Sequence, residues 1–130
     1  RTVIWNFLDD LSRKKTHAAL KNFRELLQMG ESVHQIFAMI CREVRIHAQI
    51  RSGLDQGFSL KKITEETGLN QFVAQKTAPA TRNFSAEKIE KMYDALFEID
   101  RRMKTGGMSL LAGDSSELEL AIEKFVVEMS

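Results

Sequence analysis

Pro79 is the only proline in 130 residues, where an average usage of about 5% would place roughly six or seven. A chain with so few residues lacking a backbone N–H can run in long uninterrupted elements, and helices are the elements that proline most disrupts. The expected fold class is therefore all-α. Hydrophobic periodicity agrees. Val3, Ile4, Phe7, Leu8 and Leu11 fall on one helix face at about 100° per residue. A polar break follows from Ser12 to Lys15, and a second stripe of Ala19, Leu20, Phe23, Leu26 and Leu27 then ends at Gly30, which suits a left-handed C-cap. The first thirty residues read as a helical hairpin.

The segment from about Ser32 to Leu54 carries the widest apolar arc. Val33, Ile36, Phe37, Ile40 and Val44 form its stripe, and Met39, Ile46 and Ile50 widen one flank. A helix apolar over more than half its circumference is packed from several sides, so this one is expected to be the spine, with Gly53 and Gly57 marking its end and a short loop. Ser59 and Asn70 are N-cap candidates for two short helices joined at Gly68. Pro79 near the end of the second should terminate or kink it. Ser85 opens a long helix, read with Ile89, Met92, Tyr93, Leu96, Phe97 and Met103 inward and ending at Gly106-Gly107. A loop through Gly113 follows, and Asp114 with Glu117 has capping-box spacing for a last helix. Leu118, Ala121, Ile122, Phe125, Val126 and Met129 form its core stripe. About seven helices are expected, with no strand-like alternation and no internal repeat.

Several function classes lose support at once. One cysteine cannot make an internal disulfide, which disfavours a stapled secreted scaffold. A net charge of +1 gives no general nucleic-acid or membrane surface. No apolar run approaches the roughly 18 residues that span a bilayer. Phosphate loops, HExxH and CxxC are missing. His34 and Cys41 lie about 10.5 Å apart along one helix and cannot share a metal unaided. His17 and His47 have no partner at ligand spacing, and all three histidines read as surface or core-edge residues. Cys41 reads as a small core hydrophobe. The adjacent acids Asp9-Asp10 and Glu65-Glu66 diverge on a helix. The chain is expected to be no enzyme and to carry no cofactor and no metal.

Two constellations remain. Leu60, Ile63, Gly68, Leu69 and Val73 have the spacing of a helix-turn-helix. As a DNA reader it would present Asn70, Gln71, Gln75 and Lys76 to the major groove. Between Ser59 and Phe84, however, four basic and two acidic residues leave only +2, a thin charge for phosphate binding. A helical corner that only packs is the plainer reading, and direct DNA contact is expected to be weak or absent. On the last helix Leu120 and Val127 lie opposite the core stripe, rimmed by Glu119, Glu123 and Lys124, in a segment from Gly106 to Ser130 with one Lys and five acids. That strip is either a helix-to-helix contact with another polypeptide or buried within its own domain.

In order along the chain, Phe7-Leu8-Asp9-Asp10-Leu11, Ala19-Leu20 to Leu26-Leu27, Gly30-Glu31 and Ile36-Phe37-Ala38-Met39-Ile40-Cys41-Arg42-Glu43-Val44-Arg45 resemble the C-terminal domain of the bacterial DNA polymerase III delta subunit. The similarity continues through Gly68 to Lys76, Arg82-Asn83-Phe84-Ser85 and Asp100-Arg101-Arg102-Met103-Lys104-Thr105-Gly106 to the closing helix. Pro79 departs from the family pattern, in which the helix usually continues there. The resemblance implies a multi-helix bundle of the clamp-loader collar type. It implies one helical domain over 1–130, with 1–30 as a hairpin and 31–130 as the core bundle. Since the chain begins with Arg, a fragment lacking two N-terminal AAA+-like domains is expected. Its implied function is subunit association within the loader that opens and loads the sliding clamp during DNA replication. It would be non-catalytic itself, inside a holoenzyme that is a DNA-directed DNA polymerase. The implied partners are the loader's ATPase subunits and delta-prime, with the sliding clamp met only through the missing part, in a bacterial cytoplasm and away from membrane. Asp100 and Lys104, an i,i+4 pair, join Leu120 and Val127 as candidate contacts, the alternative being a solvated pair. A helix-turn-helix transcriptional regulator is the competing reading of the whole chain.

Overall fold

A computed structural model describes residues 2–108 and 115–129. Seven helices run through them: α1 (Thr2–Ser12), α2 (Thr16–Gln28), α3 (Val33–Asp55), α4 (Leu60–Thr67), α5 (Gln71–Thr81), α6 (Ala86–Lys104) and α7 (Ser116–Glu128). Side chains set most of their starts. Ser32, Ser59 and Ser85 accept hydrogen bonds from the N–H groups of Gln35, Lys62 and Lys88, and Asn70 accepts from Phe72 and Val73. Each such cap contributes about 1 kcal/mol. At the end of α2, Gly30 takes a φ of +83°, and the Glu31 N–H turns back to the Leu26 carbonyl, the bond that closes a helix through a left-handed residue. The expected cap at Asp114 lies outside the described residues; Ser115 precedes α7 and its hydroxyl bonds Glu119.

Helix α3 is the spine. Its buried residues, Val33, Ile36, Phe37, Ile40, Val44, Ile46, His47, Ile50 and Gly53, run along its whole length. The N-terminal part packs in a large cluster with Phe7, Leu8 and Leu11 of α1, Phe23 and Leu26 of α2, Met92 and Leu96 of α6, and Leu118, Ile122 and Phe125 of α7. Its C-terminal part, through Ile46 and Ile50, makes a second, smaller cluster with Ile63 of α4 and Ala78 of α5. The short helices α4 and α5 form the corner that the sequence spacing suggests, and the residues across it cover the second cluster.

Three expectations are corrected. Gly53 does not end the spine: it is buried within the last turns of α3, where a Cβ would overlap Ile63 Cγ1 and reach within 2.7 Å of Ile63 Cδ1. The missing side chain is what lets α4 approach. Tyr93 and Phe97 do not face inward; they are 41% and 69% exposed, and Ile99 completes the buried stripe of Ile89, Met92 and Leu96. The true stripe steps by three and four residues from Ile89, which leaves Tyr93 and Phe97 one position round the helix. His47 is neither surface nor core edge but fully buried. Pro79 sits inside α5, exposed, and the helix runs two residues further to Thr81 before ending.

Alanine in place of a helical glycine ordinarily stabilises by about 1 kcal/mol. At position 53 the overlap with the buried Ile63 side chain is expected to reverse the sign. Gly53→Ala is expected to lower the urea-unfolding free energy by about 1–3 kcal/mol, and a second change, Ile63→Ala, which removes the γ and δ carbons, to cost less in that background than in the parent chain.

Candidate functional site

On α7 the core stripe and the outer strip separate cleanly. Leu118, Ile122, Phe125 and Val126 are buried, whereas Leu120 and Val127 are 66% and 55% exposed. The outer pair therefore lies in solvent and not inside the bundle. With Leu20 and Arg24 of α2 it lines an open groove of about 490 Å3, bordered by Glu123, Lys124 and Glu128. Arg24 bridges to Glu123 at 3.5 Å across the two helices, which fixes one wall. Apolar centre and charged rim are the composition of a helix-docking surface.

Asp100 and Lys104 pair at 2.8 Å along α6, and both remain partly in solvent, so the pair contributes only about 0.3–0.5 kcal/mol to the helix. Tyr93, Phe97, Asp100 and Lys104 follow one another at spacings of four, three and four residues, which sets them on one ridge of α6. This ridge and the α7 strip belong to different helices, and the groove that holds Leu120 and Val127 contains none of the four ridge residues. The aromatic members of the ridge escape sequence reading because an apolar residue next to a stripe is assigned to it by default.

The corner residues take other roles. Asn70 spends its side-chain oxygen on the α5 cap. Gln71, Gln75 and Lys76 are exposed, and Lys76 lines the groove between α1, α3 and α5, which Gln71 and Gln75 do not. That groove, of about 270 Å3, is lined by Trp5, Leu8, Asp9, Ser12, Arg42, Glu43, Phe72, Val73, Lys76, Thr77 and Ala80.

Beneath it lies a polar network that sequence spacing does not reveal. Ser12 Oγ is 3.0 Å from His47 Nε2 and bonds Glu43 Oε2 at 3.1 Å, while His47 Nδ1 is 2.7 Å from Thr81 Oγ1. A neutral ring protonated on Nε2 donates to Ser12, which in turn donates to Glu43, and its Nδ1 then shares the single Thr81 hydroxyl proton with the Thr77 carbonyl, 3.2 Å from Thr81 Oγ1. The Phe84 ring packs edge-on against the imidazole at 5.2 Å. Burial pushes the His47 pKa down to about 4 and raises that of Glu43, against the opposing pull of Ser12, Arg42 and Lys76. A serine beside a histidine suggests a nucleophile and its base, yet an imidazole titrating near 4 is a feeble base at neutral pH. The network instead ties α1, α3 and α5 together. The one signal in the sequence is the position of His47, three residues from both Val44 and Ile50 on the buried arc. Cys41 is half-buried, and burial, then Asp100, raises its pKa, so it packs as a small thiol. Among the described residues no cluster of three or more His, Cys, Asp or Glu side chains is placed to hold a metal, and no helix is long and apolar enough to cross a membrane.

Comparison with known proteins gives one consistent result. The family model described as DNA polymerase III delta subunit, C-terminal domain, matches residues 1–128. The DNA polymerase III subunit delta of Bacillus subtilis (strain 168) is 24% identical over 126 residues, which make up 97% of this chain and 34% of that protein. The solved structure of the Bacillus subtilis DNA clamp loader delta protein superposes with a TM-score of 0.81 at 24% identity, covering 98% of this chain and 35% of that one. The chain thus spans about a third of the length of the relatives it matches. None of them is a transcriptional regulator, and that reading finds no support.

His47 gives a pH signature. Its ring is neutral in both states above the ordinary value of 6.5. Between there and about 4 the unfolded chain takes up a proton that the folded chain does not, so stability falls as pH falls and levels off below 4. From pH 7 to pH 5 this amounts to about 2 kcal/mol. The raised pKa of Glu43 works with the opposite sign, so the measurement is a difference: His47→Gln, followed by urea unfolding at both pH values, is expected to lose less stability than the parent chain.

Proposed function

Since the chain belongs to the C-terminal domain family of the DNA polymerase III delta subunit, we propose that it is the subunit-association, or collar, domain of a clamp loader, acting as one helical unit over residues 1–130. In this reading it is non-catalytic and works by holding other subunits: the loader's ATPase subunits and delta-prime. The sliding clamp is met by other parts of a longer protein, and the polymerase activity of the holoenzyme resides elsewhere in that assembly. The setting is the bacterial cytoplasm.

The observation that carries the reading is the α7 strip. Leu120 and Val127 are large, apolar and exposed on a helix whose other face is locked into the core. Burying two such side chains against a partner is worth a few kcal/mol at about 25 cal/mol per Å2, enough to anchor a helix-to-helix contact within a larger interface. The α6 ridge of Tyr93, Phe97, Asp100 and Lys104 is the second surface this reading assigns to a neighbour. A member of a closed ring meets its two neighbours through two different surfaces.

Co-elution with the ATPase and delta-prime subunits on a sizing column tests the proposal. Leu120→Glu and Val127→Glu are each expected to weaken association about tenfold or more, because they set a carboxylate against an apolar contact. The circular dichroism spectrum should not change, since both positions face solvent. A chain that elutes alone at micromolar concentration beside its partners would refute the reading.

A further inference from the structure

The outer face of α6 holds two large aromatics that the core leaves in solvent, Tyr93 and Phe97. With Phe97 as centre and about 100° per residue, the face also takes in the exposed Glu90, Asp94, Arg101 and Lys104, with Asp100 at its edge. Acids precede Phe97 and bases follow it, Asp100 being the exception. Glu90 and Asp94 make no hydrogen bond or ion pair among the described residues. Arg101 is held by Glu98 through Nε and Nη2, and Lys104 by Asp100. Both pairs lie in solvent, and both cations keep spare N–H groups for a second carboxylate.

That order makes the face complementary to itself in reverse. At 1.5 Å per residue, Asp94 lies about 4.5 Å on the N-terminal side of Phe97 and Arg101 about 6 Å on the C-terminal side, on the same flank. In two antiparallel copies of α6 related by a two-fold axis at Phe97, Asp94 of each copy meets Arg101 of the other. Glu90 and Lys104, each about 10.5 Å from Phe97, meet in the same way. On the opposite flank Asp100 comes level with Tyr93 of the other copy, where its carboxylate accepts from the phenol hydroxyl. The two Phe97 rings meet at the axis. A parallel alignment would instead set Asp94 on Asp94 and Arg101 on Arg101. The adjoining charges of α3, Arg51 and Asp55, pair with each other at 3.0 Å and add no net sign.

We propose that the outer face of α6 is a self-recognition surface, through which two copies of this chain pair antiparallel about Phe97. Such a contact is isologous, the same patch serving on both sides. It runs from Glu90 to Lys104, about 21 Å of one helix per copy, which is less than a standard interface of about 1,600 Å2 supplies. The dimer is therefore weak, with a Kd of about 0.1 mM. The pairing does not rest on the collar reading: it needs no other subunit, and a subunit that docks on α6 competes with it for the same face.

Sedimentation equilibrium of the purified chain between about 10 μM and about 1 mM tests the pairing, with monomer expected at the lower end and mostly dimer at the upper. Phe97→Glu is expected to weaken the dimer about tenfold or more with an unchanged circular dichroism spectrum, since the position is exposed. Asp94→Arg and Arg101→Asp each set like charges together twice in the pair, so each variant alone is expected to dimerise about tenfold more weakly. An equimolar mixture of those two variants should recover the parent's association, because both contacts in the mixed pair are again acid against base. The proposal is overturned if the parent chain stays monomeric at about 1 mM, if Phe97→Glu leaves the dimer intact, or if the mixture associates no better than either variant alone. A parent chain that is monomeric throughout, yet loses co-elution with the ATPase subunits on Phe97→Glu, would give the face to another subunit instead.

Discussion

Everything in this domain is arranged around the need to bury α3 from several directions. Its N-terminal part carries Val33, Ile36, Phe37, Ile40 and Val44 into one cluster, and its C-terminal part carries Ile46 and Ile50 into another. Helices α1, α4, α5, α6 and α7 pack on it, α2 joins the larger cluster beside α1 and α7, and the two clusters meet near His47. There the spine turns polar: Ser12 arrives from α1 and Thr81 from α5, one at each ring nitrogen. A buried imidazole with both nitrogens satisfied demands two hydroxyls in place at once, because a lost partner leaves an unsatisfied group that is expensive away from water. Apolar packing alone would let α1 and α5 slide along α3. The hydrogen bonds fix their register, and in doing so they fix the width of the groove that opens between them.

What is legible in the sequence follows from how local each determinant is. Ser59, Asn70 and Ser85 cap helices through N–H groups two or three residues away, so the residue type and the following stripe suffice to place them. Gly30 and Gly68 carry their left-handed conformation in the chain itself. Gly53 looks like the same kind of signal and is not: its reason is Ile63, ten residues on and on another helix. Periodicity misplaces Tyr93 and Phe97 because the width of a buried stripe is set by the neighbouring helices and not by the hydrophobicity of the residue. His47 escapes because a histidine within an apolar arc is uninformative until its two hydroxyl partners, 35 and 34 residues away in the chain, are known. For Leu120 and Val127 the spacing sets the pair opposite the core but leaves open whether another helix covers it. Coverage is a tertiary property, and the groove beside α2 answers it.

Apart from Met29, the large exposed apolar side chains among the described residues fall into groups. Leu120 and Val127 lie with Leu20 on one side, Tyr93 and Phe97 on the α6 ridge, and Trp5 with Phe72 at the α1/α5 groove. Scattered apolar side chains are ordinary on a protein surface, whereas grouped ones rimmed by charge mark contacts. The three groups also differ electrically. The α7 strip sits on a helix with four acids and one lysine. On the α6 ridge, Asp100 and Lys104 neutralise each other. The α1/α5 groove sets two carboxylates, Asp9 and Glu43, beside two cations, Arg42 and Lys76. Surfaces that differ in charge select different partners, because like charges brought together cost several kcal/mol.

Folding and the proposed association would be coupled most directly at α7. Its inner stripe, Leu118, Ile122, Phe125 and Val126, belongs to the same cluster as Phe23 and Leu26 of α2, and the Arg24–Glu123 bridge spans the two helices on the solvent side. A partner seated on Leu20, Leu120 and Val127 would clamp α2 and α7 from outside while the core holds them from within. Binding that requires the two helices to be packed stabilises the packed state by mass action, so the strip and the core reinforce each other. The helix carries four carboxylates, of which Glu123 is bridged by Arg24 and Glu119 bonded by Ser115, so a basic partner docking on this face would meet negative charge that the bundle satisfies only in part.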